Sequence, residues 1–516
     1  MDVVFHNISV KSALLLAVLG LISYHILSWI LKAPPKKLPL GPRGWRTNWE
    51  ILKATRNDSF VELTYEWAQM YGPLTFVFSL GQPLLLINCP DTARKLFASD
   101  ETKLLLADRL TNAASRLAWY NGKDLIFSKY DDVMRKKRKL FLSSLRLYSD
   151  GVSKFENVVW EEMQRMFAEI DAIGNVDFDL SATLSRSLKI IIYILALGER
   201  PSNPTIPDIL EEYDIAFNRL WAPDIDFVIS NIPILTKIPG KYKRAVDRLL
   251  KAKKAAEELM YHNPKKTHIP GKPRGIADLL FDQETLPGNE WMAEDPEHVM
   301  AILTSLFFAA HLTSRALLLG VFLCMMNYLY VMKKIQEEVD KVIGQGRPRL
   351  DNRKDMPYTE ATILESLRLI SQSPLSGVRT ASADIHFEGM VIPRNTLVYI
   401  TTGFIFRNPK FYKDPWTFKP ERFLDSQGQL LPVEHPRRKN LMPFGVGVRT
   451  CPGEGFARSR GFLFLTSVLQ RYDILPPAHG KIVPADFRIK DDSVAGFVRQ
   501  APRYTCRLIK REARKD

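Results

Sequence analysis

Cysteine is scarce in this chain: four residues in 516, at Cys89, Cys324, Cys451 and Cys506. That scarcity excludes a disulfide scaffold. Because no two of the four are closely spaced, it also excludes a multi-cysteine zinc site. Each cysteine is therefore judged by its own surroundings. Internal repeats and low-complexity tracts are missing as well. Acidic residues fall short of basic ones, 57 Asp+Glu against 72 Lys+Arg, for a net charge of +15. Such an excess admits nucleic acid, acidic membrane or an acidic protein as partner, and composition alone does not choose. With 46% hydrophobic and 25% charged residues the composition is globular, and the length suits one very large domain or two or three ordinary ones.

The first feature present is a long apolar run. Ala13 to Leu31 holds 19 residues without a charge. At about 1.5 Å per helical residue it approaches the ~30 Å hydrocarbon core of a bilayer. Tyr24 and Trp29 have rings suited to a membrane interface, and the run exceeds the usual core of a signal peptide. Lys32, Lys36, Lys37 and Arg43 follow it, whereas Lys11 alone precedes it. The positive-inside rule then predicts a short lumenal N-terminus over 1–12, a transmembrane anchor over 13–31 and a cytosolic body over 46–516. Between anchor and body, the Pro-rich basic hinge 32–45 carries Pro34, Pro35, Pro39 and Pro42, an extended spacer that cannot continue a helix. Asn7 begins an Asn-Ile-Ser glycosylation acceptor very near the membrane.

The body reads as mainly α with a small β portion and no linker that splits it. Strand-like runs occur at Leu74–Phe78, Leu84–Ile87, Ile385–Ile392 and Thr396–Ile400. Glu297 to Leu329 is free of proline and predicts one long helix, continued by an amphipathic one over Val331–Ile343. The zones Asn263–Gly275 and Asn408–Asn440 are loop-rich.

The chemistry centres on Cys451, in the context Phe444-Gly-Val-Gly-Val-Arg-Thr-Cys451-Pro-Gly-Glu-Gly. Gly445, Gly447 and Gly453 let the backbone approach something flat and bulky. Pro452 opens a helix running through Arg460, so the sulfur sits by a positive helix N-terminus and the environment favours a low-pKa thiolate. Such a thiolate serves as nucleophile or as metal ligand.

This segment resembles the haem-binding loop of the cytochrome P450 superfamily, Phe-x-x-Gly-x-Arg-x-Cys-x-Gly, met here by Phe444, Gly447, Arg449, Cys451 and Gly453. Glu365-Ser-Leu-Arg368 lies 83–86 residues before the cysteine, and Pro420-Glu-Arg422-Phe lies between. Both resemble the family's elements in the family's order, with Glu365, Arg368 and Arg422 as a buried structural triad. The resemblance covers nearly the whole chain from the hinge onward. It is strongest to animal microsomal members that hydroxylate steroids, lipids and drugs.

The resemblance implies the P450 fold behind one anchor, with haem b ligated by Cys451 and electrons from NADPH through a flavoprotein reductase. A thiolate ligand favours O–O cleavage. Arg449, Arg138 and Arg379 are the implied propionate partners. Arg138 ends a Met134-Arg-Lys-Lys-Arg element where the family often has Trp in place of Met134. The distal segment reads Ala309-Ala310-His311-Leu312-Thr313-Ser314. Ala309 and Ala310 leave room for dioxygen, and Thr313 keeps the catalytic hydroxyl. Leu312 stands where the family has an acid. That departure motivates an alternative, a haem-thiolate isomerase or lyase acting on a lipid peroxide without O2 or reductase. His311 is expected to face away from haem, and Arg315 to need an acid partner. Arg135, Lys136, Lys137, Lys139 and Pro436-Arg-Arg-Lys439 form the expected docking face for an acidic reductase or anionic lipid. No nucleic-acid recognition motif accompanies the basic residues. The implied substrate contacts fall in 105–125, 217–233, 306–310, 375–378 and 494–498. The apolar ones among them, Leu306, Phe307, Leu375, Val378 and Phe497, suit a lipophilic substrate. The implied location is the endoplasmic reticulum membrane.

Overall fold

The computed structural model describes residues 37–512, except 58, 80, 150–151, 222 and 489–497, together with residues 20 and 23. The anchor and the lumenal end thus lie outside the described residues, apart from those two positions, as does Phe497. The helices of at least twelve residues are α1 (Trp45–Arg56), α2 (Phe60–Tyr71), α3 (Asp132–Ser149), α4 (Val152–Ile173), α5 (Leu180–Leu197), α6 (Ile206–Leu220), α7 (Lys241–Glu257), α8 (Glu297–Asn327), α9 (Leu329–Val342), α10 (Pro357–Ile370) and α11 (Glu454–Arg471). The strands are β1 (Leu74–Ser79), β2 (Gln82–Ile87), β3 (Arg379–Thr380), β4 (Ile385–Phe387), β5 (Met390–Ile392), β6 (Leu397–Ile400), β7 (Tyr472–Leu475) and β8 (Arg507–Lys510). The expected mainly-α body with a small β portion is what forms.

Local chemistry explains the long elements. α8 runs unbroken from Pro296, which sits at its N-cap, and is apolar on nearly all sides, so it is buried at the centre of the fold. α5 is also apolar. Asp179 caps its start by accepting from Ser181 N at 2.7 Å, and Gly198 ends it in a left-handed turn with φ 83°. Both helices are long and apolar enough to cross a membrane, yet most of each is buried inside the protein, which marks them as core helices.

Strands β1, β2, β6 and β3 form one sheet in that order. β1 and β2 make a hairpin, while β2 and β6 run parallel with Leu84 opposite Leu397. Helices α3 to α10 are therefore inserted between two neighbouring strands, while α1 and α2 precede them and α11 follows. The second half of the hinge docks on the sheet region: Phe76 N donates to Leu40 O at 2.8 Å and Val391 N to Lys37 O at 2.9 Å.

Besides a small cluster of Trp67, Val77, Leu84 and Leu86, two larger apolar cores form among the described residues. The larger joins α4 to α11 around α8. The smaller lies under the sheet and includes Phe76, Leu85, Ile87, Phe97, Leu364, Val398 and Ile400. The Cys451 loop spans them. Leu441, Met442 and Val446 pack on the sheet-side core, whereas Phe444 and Phe456 pack on the helical one.

Candidate functional site

The loop before α11 is held by its own backbone. Cys451 N donates to Phe444 O at 2.9 Å, Thr450 N to Gly447 O at 3.0 Å, and Gly445 N to Met442 O at 3.1 Å. Gly445 and Gly447 have φ of 80° and 79°, in the left-handed region that favours glycine. A Cβ on Gly447 would also lie 2.0 Å from Phe97 O. Gly453 has an ordinary φ of −93° and precedes α11 directly. The Arg458 guanidinium lies 5.2 Å from the Phe444 ring centre.

Cys451 is exposed as a residue, but protein encloses its sulfur closely. Burial pushes the thiol above its ordinary value, against the opposing hydrogen bond from the Gly453 N–H and the charges of Arg138 and Arg460. The expectation of a low-pKa thiolate from the loop alone is therefore corrected, because desolvation outweighs the helix N-terminus and the single amide. Bound iron deprotonates a coordinating thiol by its own charge.

Four arginines gather nearby. Arg449 is buried and donates to Ser128 O at 2.8 Å and Ile126 O at 3.2 Å. Arg138 donates to Thr450 O, next to the cysteine. Arg379 is buried beside the Phe97 ring, and Arg109 donates to Val378 O at 3.3 Å. Burial and mutual repulsion lower Arg109 to about 9 and Arg379 well below its ordinary value. Arg449 falls to about 10, mainly by burial, with Asp124 partly offsetting the other cations. Arg109 Nε, Arg379 Nη1 and Arg449 Nη1 are buried without a hydrogen-bond partner among the described residues.

Such a cluster is costly unless anionic oxygens complete it. Two carboxylates of a flat prosthetic group beside Cys451 fit that need, so the donor set matches haem. Arg460 of α11 is likewise buried, with Nε and Nη1 unpartnered, and is lowered to about 10 by burial against the pull of a Cys451 thiolate. Sequence reasoning missed Arg109 and Arg460, which carry no motif.

α8 shows an interruption in its burial. Between Ala301 and Met326, the residues not fully buried are Leu306, Ala309, Ala310, Thr313 and Arg315. The first four recur at helical spacing and form one accessible stripe on a central helix. Thr313 Oγ1 donates to Ala309 O at 2.7 Å. Gln372 Nε2 donates to Thr313 O at 3.3 Å, and Gln500 Nε2 to Leu312 O at 3.2 Å. Arg315 donates to Gln500 Oε1 at 2.8 Å. Leu312 is buried off the stripe. Phe307 is buried as well, with its ring 6.0 Å from that of His311, so it leaves the expected substrate face. Leu375 is half-buried and Val378 buried.

The structure brings Glu365, Arg368 and Arg422 together. Arg368 grips the Glu365 carboxylate with Nε and Nη2, each at 2.7 Å, and Arg422 Nε donates to Oε1 at 3.0 Å. All three are buried, and both arginines also donate to carbonyls in the 406–417 stretch. Arg437 Nη1 reaches Arg422 O at 3.1 Å, linking the triad to the segment just before the cysteine loop.

The basic face is narrower than expected. Arg135, Lys136, Lys139, Arg437 and Lys439 are exposed. Lys137 is not: it is 2% exposed, donates to Lys123 O at 2.7 Å, and is lowered to about 8 by burial. It sits three residues after buried Met134, on the inward face of α3.

Comparison with known proteins agrees with this geometry. The family model for Cytochrome P450 matches residues 39–506. The chain is 30% identical to Cytochrome P450 2J3 of Rattus norvegicus over 368 residues, covering 70% of this chain and 72% of that protein. It is 26% identical to Cytochrome P450 2A4 of Mus musculus over 519 residues, covering 96% and 99%. It is 27% identical to Cytochrome P450 2D20 of Mesocricetus auratus over 470 residues, covering 89% and 90%. A match over almost the entire folded body, on a site with an accessible thiol and unsatisfied arginines, makes this chain a member of the cytochrome P450 family of haem-thiolate monooxygenases, whose cysteine-ligated iron takes electrons from NADPH through a reductase.

Proposed function

We propose that the chain is a membrane-anchored monooxygenase of the endoplasmic reticulum that inserts one oxygen atom of O2 into a lipophilic substrate, a steroid, another lipid or a xenobiotic. The Cys451 sulfur would ligate the haem iron, and Arg449, Arg138, Arg379 and Arg109 would hold the haem carboxylates. Phe444, Gly447, Gly453 and Ala309 shape the bed on the two sides. The observation that carries this reading is the enclosed but accessible Cys451 sulfur beside buried arginines that lack partners.

Haem when bound supplies the electron transfer and oxygen activation that no side chain provides. The protein's own residues do the rest. Leu306, Ala309, Ala310 and Leu375 exclude water and present an apolar wall to substrate. Thr313 holds a proton at Oγ1, parked on Ala309 O until a better acceptor arrives. The Glu365–Arg368–Arg422 triad holds the loop in place. Exposed Arg135, Lys136, Lys139, Arg437 and Lys439 steer an acidic reductase to the thiolate side, or rest on anionic lipid, and salt weakens both. The apolar run Ala13–Leu31 anchors the body.

The test is turnover by the purified chain with reductase and NADPH over a panel of steroids, sterols and fatty acids. Hydroxylated product that requires NADPH, formed more slowly as salt rises, is the expected result. Turnover of a lipid hydroperoxide alone, with no NADPH-dependent product, would replace the reading with a peroxide rearrangement.

A further inference from the structure

Asp124 belongs to no motif, yet its side chain is wholly buried and its charge reaches both Arg109 and Arg449. The chain just before it turns sharply. Tyr120, Asn121 and Gly122 take positive φ of 48°, 58° and 82° in succession. Gly122 N and Lys123 N both donate to Trp119 O, at 3.0 and 2.9 Å. A carboxylate placed after such a reversal can accept from the amides two and three residues on, as Asp does at turns and helix caps. Asp124 Oδ1 does so, accepting from Ile126 N at 2.5 Å and from Phe127 N at 2.9 Å.

The carbonyls of the same segment hold Arg449. Ile126 O and Ser128 O both accept from its Nη2, at 3.2 and 2.8 Å, while Nη1 is buried without a partner among the described residues. Two fixed acceptors on one nitrogen set the plane of the guanidinium and leave the other nitrogen for an anion. Two helices hold the start of the segment. Lys137 of α3 donates to Lys123 O at 2.7 Å, and the Lys123 side chain pairs with Asp295 and Glu297 where α8 begins. Asp124 sets the curvature between that anchor and the two carbonyls.

Charge alone is a poorer account of this carboxyl. Its negative charge favours the protonated forms of Arg109, Arg449 and Lys137. Such a charge would compete with the haem carboxylates for the same cations. Burial also raises the carboxyl above its ordinary value, against the pull of both amides and of Lys137. The Oδ1 acceptor is present in either protonation state. Oδ2 has no hydrogen-bond partner among the described residues, so an amide nitrogen in its place breaks no bond.

We propose that Asp124 is a positioning residue for Arg449: by closing the turn at Ile126 and Phe127 it aims two carbonyls at Nη2 and so presents Nη1 to a haem carboxylate. The inference rests on the reading of Arg449 as a haem-carboxylate partner.

The test is the rate at which the ferric holoenzyme loses haem to excess apomyoglobin, in wild type, Asp124→Asn, Asp124→Ala, Arg449→Ala and the variant carrying both alanines. Asp124→Ala leaves two buried amides without an acceptor and should speed haem loss about tenfold. Asp124→Asn keeps the acceptor and should stay within about threefold of wild type. In the Arg449→Ala background, Asp124→Ala should add less than about twofold, because it acts through the missing guanidinium. Asp124→Ala at the wild-type rate, Asp124→Asn as fast as Asp124→Ala, or a full further tenfold in the double variant would overturn the role. Should Asp124→Ala not fold, Asp124→Glu decides, since it keeps the charge but moves the acceptor by one methylene. Faster loss than from Asp124→Asn supports the proposal, and equal or slower loss overturns it. A wild-type holoenzyme without the thiolate-type carbon monoxide band would overturn the haem-thiolate reading and this role with it, whereas the band with the variants in the wrong order overturns the positioning role alone.

Discussion

At the scale of single residues, the site depends on backbone as much as on side chains. Gly447 combines a left-handed φ with the Phe97 carbonyl lying where a Cβ would go. Gly445 has the same φ and open space. Gly447→Ala is therefore expected to cost more than Gly445→Ala, with strain alone worth about 1–3 kcal/mol. Thermal unfolding and haem retained per chain measure both, and equal losses in the two variants would refute the close-approach argument. This also explains why the loop was legible. Gly447, Arg449 and Cys451 each meet a local demand that few residue types satisfy, so their identities survive as a pattern. Arg109 and Arg460 were illegible because a lone arginine takes its role from neighbours that only the fold supplies. Lys137 shows the intermediate case. Its charge suggested the surface, while its spacing from Met134 and Phe141, at i+3 and i−4, put it on the buried face of α3.

At the scale of elements, α10 holds two kinds of ion pair that should behave differently. The Glu365 carboxylate lies between two buried guanidinium groups, so Glu365→Ala leaves Arg368 and Arg422 as uncompensated cations in the core. The expected loss is about 3–5 kcal/mol. On the same helix Glu360 pairs with the more accessible Arg353, and Arg353→Ala should cost about 0–1 kcal/mol. Denaturant unfolding of the two variants compares them, and a Glu365→Ala loss no larger than that of Arg353→Ala would contradict the triad's structural role. The helices themselves were readable where punctuation was clear. Absence of proline marked α8, which stops at Asn327, two residues short of the run read from sequence. The start of α11 falls at Glu454 because Gly453, two residues from the cysteine, takes the N-cap. What the pattern of residues did not carry was the partnership of α5, α6 and α8 through Ser185, His311 and Asp214, in which His311 Nε2 lies 2.9 Å from Ser185 Oγ and Nδ1 lies 2.5 Å from Asp214 Oδ2. Three isolated polar residues in separate helices have no shared spacing to reveal them.

At the scale of the whole molecule, the cysteine loop is strung between two apolar cores, one helical and one beneath the sheet. Helices α3 to α10 are inserted between the parallel neighbours β2 and β6. That arrangement places a soft ligand and a set of anion-seeking arginines around one region. Part of the net charge of +15 stands on the exterior, where Arg135, Lys136, Lys139, Arg437 and Lys439 are exposed. The central claim is that Cys451 ligates haem iron in this frame. The most direct measurement is the carbon monoxide difference spectrum of the reduced protein, recorded for wild type and for Cys451→Ala at matched haem content. The account predicts a thiolate-type Soret band in wild type and its loss in the variant; the same band in both proteins would contradict it.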